Sequence, residues 1–492
     1  MSSAPDPVVI AVDMGSSGVR AAAVDRQGTI RAQSSVQSST ITGDDGSSVH
    51  RTEEVWQAVV TTIRQVVGDH SPDAVVLGGT AHALITGTPD DPDPEIVLWS
   101  DTRSARAHKQ LVDDGFFTYS GLTACPSHAA YWPAKVAWLR NTGHLSPSRN
   151  HLFSEKDLVL HRLTGQAVSD TATAGATGLL DAHRLDWSAE VIGRVGAPWL
   201  ALPPVEPATS SRPLDGLGSA ALGLPTGTPI VLGGVDGPLA HLGVSGTEDG
   251  LASLTIGTSL GVRMHAPAAR IDAQGRCWSY ALTADHWIVG GAGSNGGNLL
   301  SWVQKALFDG QVGVEEIIEQ ALALTPDRSL VFLPYLNGER APLWRSDLSG
   351  GFLGLRPRHN RWHMARAVLD SIGCMISELS SAVFSVAGGA RLAGLNGGFT
   401  ASSGWAQLAT DAIGCPSRLP RNDAAVLRGA AAVAWAAVDD QPIKAAPDNV
   451  GDLLTPDPAT HAAIDRATSR LAAMRAALQP FTDSQGSYDE IP

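Results

Sequence analysis

Two short stretches carry residue types suited to holding an anion. From Asp13 the chain reads DMGSSGVR, and from Thr255 it reads TIGTSLGVR, each directly after an apolar run. In the first, Gly15, Ser16, Ser17 and Gly18 can aim successive backbone N–H groups and two hydroxyls at one phosphate. Gly257, Thr258 and Ser259 offer a similar set in the second. A polyphosphate gripped by two such turns calls for a divalent cation. Mg²⁺ is typically held by one or two carboxylates with phosphates and waters, a task open to Asp13. The plain alternative is that both stretches are hairpin turns and nothing more. The G-x-x-x-x-G-K-S/T signature of a P-loop is absent.

A second carboxylate stands out in GGVDGPLAHLG, residues 233–243. Asp236 falls where an apolar strand gives way to a helix, with Pro238 in the first turn. It can be an N-cap. It can equally reach a substrate hydroxyl and accept its proton during phosphoryl transfer. In LWSDTRS, Trp99, Asp101 and Arg103 alternate, so an extended segment would put an indole, a carboxylate and a guanidinium on one face. Such a face suits a polyol, and a surface Asp–Arg pair is the alternative. His82 follows the strand-like AVVLGG and is either structural or part of the same site. In LNGGFTASSGWAQLATDAIGCP, Gly397 and Gly398 would let a flat base or ribose approach the backbone, and Ser402 and Ser403 cap a helix ended by Gly414 and Pro416.

The elements that must position these residues alternate along the chain. Val8–Val12 and Val19–Val24 read as a hairpin leading into a third strand. Further strand signals occur at Ala74–Leu77, Ile96–Leu98, Pro229–Leu232, Leu251–Ile256 and Leu330–Leu333. A helical apolar stripe runs from Ala365 to Val383, and Ala462–Leu478 reads as an amphipathic terminal helix. The class is α/β, and 492 residues suggest two domains. The boundaries fall at 1–247 and 248–480, followed by a tail at 481–492. The Pro/Gly-rich stretch 202–229 is a linker or a surface excursion of the first domain.

A formal charge of −14 argues against nonspecific nucleic-acid binding. Four isolated cysteines read as buried reduced thiols of a cytoplasmic protein. No signal sequence or membrane span is apparent.

Together these motifs resemble the FGGY carbohydrate kinases, the sugar-kinase branch of the actin/Hsp70-like ATPases. DMGSSGVR resembles that family's first phosphate motif, TIGTS its second, and GGFTASSGWAQLATD its adenosine motif. GGVDG and the GGFLGL…HMARAVLD segment match two more, in the same order. The resemblance implies two RNase H-like domains closing over a sugar and ATP. It makes Asp236 the catalytic base, Asp13 and Asp236 the residues that place Mg²⁺, and His82, Trp99, Asp101 and Arg103 the sugar site. Gly15, Ser16, Ser17, Gly257, Thr258, Ser259, Gly397, Gly398 and Ser402 would hold ATP.

LPYLNGERAPLW, SNGGNLLSWV and the Lys135–Leu139 block are most similar to gluconate kinases. The expected reaction is therefore phosphorylation of a sugar or sugar acid, with D-gluconate to 6-phospho-D-gluconate first. A xylulose or other pentulose or polyol kinase is the alternative. An ATPase acting on a protein partner is the reading from another class. Arg103, Arg263 and Arg340 are the cations considered for an anionic substrate. The partners are the small substrate and ATP, without nucleic acid or membrane, and a homodimer is an open option.

Overall fold

The computed structural model describes residues 7–68, 71–116, 120–420, 424–444 and 450–482; most of the expected tail at 481–492 lies outside them. The chain forms two compact units that are not contiguous in sequence. The first takes Met1–Asp249, His265–Val289 and Ala424–Asp448; the second takes Gly250–Met264, Gly290–Asp423 and Asn449–Pro492. Two stretches of the C-terminal half thus belong to the first unit.

The first unit is built on a six-stranded sheet, ordered Ser211–Pro213, Pro229–Val235, Ala74–Gly79, Val8–Gly15, Gly18–Asp25, Ile30–Gln37. Val8–Gly15 runs antiparallel to Gly18–Asp25 and parallel to Ala74–Gly79. It is buried on both faces, which is why VVIAV is continuously apolar rather than alternating. Val8, Ile10, Val12 and Met14 pack with Val55, Val59 and Ile63 of helix Thr52–Val67. The intervening residues Val9, Ala11 and Asp13 take the opposite face. Here helix Ala425–Asp439, returning from the far end of the chain, lies against the strand. The 202–229 stretch contributes edge strand Ser211–Pro213 and helix Gly216–Leu222 to this unit, so it is an excursion rather than a linker.

The second unit repeats the core arrangement. Strands Leu251–Ile256 and Leu260–Ala266 form an antiparallel hairpin, and Leu251–Ile256 pairs in parallel with Leu392–Asn396. Ser417–Pro420 and Val450–Leu454 extend the sheet. In register, Asp13 lies opposite Gly78 in one unit and Thr255 opposite Asn396 in the other. The echo in the sequence is therefore an echo in topology. Helix Arg361–Ala387 carries the expected stripe from Ala365 to Val383 into this core. By length and composition it could cross a bilayer, but 72% of its most apolar window is buried in the protein.

The helix holding Asp236 is clamped by close backbone contact. In helices Asp236–Ser245 and Ala425–Asp439, a Cβ on Gly243 would fall 1.9 Å from Ala425 O, and one on Gly429 1.8 Å from Leu239 O. Arg428 reaches Gly28 O at 2.5 Å, and Trp435 Nε1 donates to Asp25 O at 3.1 Å. Gly429→Ala must push the helices apart. The expected loss is about 1–3 kcal/mol, read as a lower urea midpoint; an unchanged midpoint would show that the helices do not meet this closely.

Candidate active site

In the first unit the geometry starts from a bulge. The Pro229–Val235 strand shifts register between Val231 and Gly234, and Gly233 adopts φ +73. A Cβ at Gly233 would lie 2.0 Å from Leu77 O, so only glycine fits. Two residues after the bulged glycines the strand becomes a helix. Asp236 is its first residue, Val235 is the N-cap, and Asp236 Oδ1 accepts from Gly237 N at 2.8 Å.

Asp13, 2% exposed, accepts from Arg20 Nη2 at 2.5 Å and Nε at 3.1 Å through one oxygen, Oδ2. Burial raises its pKa, Arg20 opposes that rise, and the negative charge of Asp236 adds to it. Two neighbouring carboxylates, one of them buried, form an electrostatic deficit that a cation would relieve. No cluster of three or more His, Cys, Asp or Glu able to hold a metal occurs among the described residues. A pair fits Mg²⁺, which keeps waters and phosphates as its other ligands.

The hairpin turn is tied by its carbonyls. Ser16 O accepts from Thr40 Oγ1 at 3.0 Å and from His50 Nε2 at 3.1 Å, and Ser17 O accepts from Ser38 N at 3.2 Å. The side chains of Ser16 and Ser17 are exposed. The second hairpin repeats the arrangement: Arg263 Nη1 donates to Thr255 Oγ1 at 3.1 Å, as Arg20 does to Asp13. Its turn is fixed by the following loop, with Gly257 O accepting from Gly297 N at 2.9 Å and Thr258 O from Asn298 N at 3.1 Å. That loop is in turn held by Glu339, which is buried and accepts from Ser294 N at 2.5 Å.

His82 sits in a left-handed conformation, φ 66, and is fixed on several sides. Its Nδ1 bonds Ala176 O at 2.6 Å, its ring meets Tyr131 edge-on at 4.5 Å, and its own carbonyl accepts from Lys135 Nζ at 2.7 Å. Lys135 is fully buried and also donates to Leu98 O at 2.9 Å. Burial pushes its pKa down to about 7. Just before His82, Thr80 N donates to Glu155 Oε1 and Thr80 Oγ1 to Met14 O, both at 2.8 Å. The loop after Ala74–Gly79 is thereby tied to the first hairpin.

Trp99, Asp101 and Arg103 lie in a turn leading into helix Ala105–Asp113, not in the extended segment expected. Asp101 and Arg103 bind each other, Nη2 to Oδ2 at 2.6 Å, and Asp101 Oδ2 also accepts from Ser48 N at 3.0 Å. Arg103 stacks over Trp138 at 4.6 Å. Asp–Arg pairing wins because the half-buried Arg103 neutralises the buried Asp101 beside it. The other cations considered for an anionic substrate are committed as well: Arg340 Nη2 donates to Gly293 O at 2.5 Å, and Arg263 to Thr255.

A 560 Å³ cavity in the second unit is lined by Gly257, Thr258, Gly398 and Ser402 of the expected set. Asn298, Val314, Glu315, Ile318 and Trp405 join them. Ser402 caps helix Ser403–Ile413 by accepting from Trp405 N at 3.4 Å. Gly397, φ +116, packs so tightly on the hairpin strand that a Cβ would lie 2.2 Å from Ile256 O. Trp405 Nε1 and Asn396 Oδ1 are buried with no hydrogen-bond partner. Trp405, which lines the cavity, thus carries a donor that nothing in the protein uses.

Glu155 and Lys135 were not singled out by chemistry. Ser154 and Asp157 make a capping box, so Glu155 between them reads as ordinary helix-start acid. Its burial beside Asp13 and Asp236 is visible only in three dimensions.

The fold and these two sites define a two-domain phosphotransferase of the actin/Hsp70-like ATPase fold. The chain belongs to the FGGY family of carbohydrate kinases, whose N-terminal domain matches residues 8–243 and whose C-terminal domain matches residues 252–438. It is 28% identical over 422 residues to a gluconokinase of Bacillus licheniformis, covering 82% of each chain. A gluconate kinase from Lactobacillus acidophilus shares the fold with a TM-score of 0.90 at 24% identity, over 98% of this chain and 99% of that one. A xylulose kinase from the same organism also gives 0.90 at 24% identity, over 96% and 98%.

Burial raises the Glu155 carboxyl from 4.5 to about 7, with Asp236 and Asp13 adding to the shift. Between those values the folded protein keeps a proton that the unfolded chain has lost. Stability therefore falls as pH rises through this window. Glu155→Gln removes the penalty. Relative to wild type, the variant should gain on the order of 3 kcal/mol between pH 4.5 and 8, measured by urea unfolding in EDTA. Parallel pH profiles for the two proteins would show that Glu155 does not titrate abnormally.

Proposed function

We propose that this carbohydrate kinase phosphorylates a sugar acid, D-gluconate to 6-phospho-D-gluconate, with ATP as donor. The observation that carries the catalytic assignment is Asp236: a carboxylate at the first residue of a helix, aimed by a glycine bulge and lying beside buried Asp13. A carboxylate so placed can accept the proton of the attacking hydroxyl. The acceptor assignment draws on the similarity to the gluconokinase of Bacillus licheniformis.

Asp236 is the base. Asp13 and Asp236 would hold Mg²⁺, which when bound neutralises charge on the transferring phosphoryl group. In each unit the hairpin turn is the candidate phosphate contact, Gly15, Ser16 and Ser17 in the first and Gly257, Thr258 and Ser259 in the second. The 560 Å³ cavity takes the nucleoside: Gly398 gives close backbone approach, Trp405 Nε1 an unused donor, and Ser402 the helix cap, while Gly397 behind them lets the turn pack on Ile256. His82 is held rigidly enough to orient the acceptor. Trp99 offers a flat wall, while the Asp101–Arg103 pair shapes the site as a neutral unit rather than as a free cation. The four cysteines are buried and form no disulfide, which fits a reducing cytoplasm.

Asp236→Asn tests the assignment. Turnover should fall by about 10²–10⁴-fold, while ADP affinity by calorimetry stays within a few-fold of wild type. Wild-type protein should release ADP fastest with gluconate in a panel that includes xylulose and glycerol. Undiminished turnover in the variant would remove Asp236 as the base, and a preference for xylulose would move the acceptor to a pentulose.

A further inference from the structure

The second unit contains another cavity, of 340 Å³, between strand Val331–Leu333, helix Arg361–Ala387 and terminal helix Pro458–Thr482. Small-molecule sites commonly run from about 300 to 1,000 Å³. The buried apolar part of the lining is Leu330, Phe332, Cys374, Leu408, Ile464 and Leu471, and the buried hydroxyl beside them, Ser371 Oγ, already donates to Val368 O at 2.7 Å. This buried apolar part offers nothing to pair the hydroxyls of a sugar.

The charge at the mouth is unbalanced. Asp327 already accepts from Arg358 Nη2 at 2.6 Å, His359 Nε2 at 2.9 Å and Ser329 Oγ at 2.7 Å. Asp370 is paired with Arg366 Nε at 2.8 Å. Arg328 and Arg466 are exposed and engage no carboxylate among the described residues. The site combines an apolar interior with the guanidinium groups of Arg328 and Arg466, and a third arginine of the lining, Arg470, donates to Arg328 O. That combination matches a molecule with a hydrocarbon ring and one anionic group.

Two helices join this cavity to the 560 Å³ one. Val314, Glu315 and Ile318 of helix Val314–Leu322 line the larger cavity. At the other end of that helix, Arg366 Nη1 holds Leu322 O at 3.0 Å and Leu324 O just beyond it at 2.6 Å. Helix Ser403–Ile413 presents Trp405 to the larger cavity and Leu408 to the smaller. We propose that the 340 Å³ cavity is an effector site for a small amphipathic anion, an aromatic or alicyclic carboxylate or sulfonate, whose occupancy changes nucleotide affinity through these shared helices. The second half of this proposal rests on the larger cavity being the nucleotide site.

The test uses 1-anilinonaphthalene-8-sulfonate as probe, titrated by fluorescence into the full-length protein at saturating ADP. The dye should bind one saturable site per chain. Affinity should fall about tenfold or more in the Arg328→Ala/Arg466→Ala double variant. Binding should vanish in Ala467→Trp, where an exposed lining residue becomes an indole that fills the space. Thermal midpoint and basal turnover should match wild type in both. Saturating dye should shift ADP affinity several-fold in wild type and not in Ala467→Trp, and ADP should shift dye affinity by the same factor. Dye affinity equal in wild type and both variants, or ADP affinity indifferent to the dye, overturns the proposal. Failure of the nucleotide reading shows separately, as absence of ADP binding with the dye still dependent on Arg328 and Arg466.

Discussion

A carboxylate at the buried end of a central strand is the constraint around which the first unit is arranged. Asp13 is almost without solvent, and its direct side-chain partner is a half-exposed arginine, Arg20, on the neighbouring strand. Desolvation on one side and the field of Asp236 on the other keep it under electrostatic tension. A strand of Val, Ile and Ala can carry that charge only because the surrounding packing leaves it no alternative position. The Gly233 bulge, the clamped helix behind Asp236 and the Thr80 tie to Met14 all hold the surroundings in place. Under the proposed function that tension lies where a cation and a phosphate would arrive, which would leave the site organised before its ligands bind.

The duplicated hairpin shows how one backbone solution serves two tasks. In both units an arginine on the second strand reaches back to a side-chain oxygen on the first, Asp13 in one and Thr255 in the other. Exchanging a carboxylate for a hydroxyl removes the charge and keeps the hydrogen bond. The first copy can attract a cation, and the second is left as a donor-rich turn beside an apolar cavity. The difference in chemistry is one side chain, while the topology around it is the same.

Much of this was legible in the sequence because it is local. Continuous apolar runs marked strands buried on both faces, glycine pairs marked the turns, and the stripe from Ala365 to Val383 marked the core helix. What escaped was long-range. Trp99, Asp101 and Arg103 alternate as a strand would, yet Asp101 and Arg103 pair more favourably with each other than side by side on an extended face. Glu155 is hidden inside a capping box that explains its neighbours. Lys135 looks like a helix-surface lysine until its burial against the carbonyls of His82, Val97 and Leu98 is seen. The noncontiguous units were equally invisible, since nothing in Ala425–Asp439 announces that its partners lie at the other end of the chain.

That returning helix has a consequence for how the protein is made. A chain leaves the ribosome N-terminus first, and the strand Val8–Gly15 emerges early with one face awaiting a helix encoded far downstream. At about 5–20 residues per second, the interval is on the order of tens of seconds. During it, the nascent first unit must persist with Val9 and Ala11 unshielded and the Asp236 helix unclamped. The first unit is thus completed only once Ala425–Asp439 has been made, and until then one face of its central strand stays open.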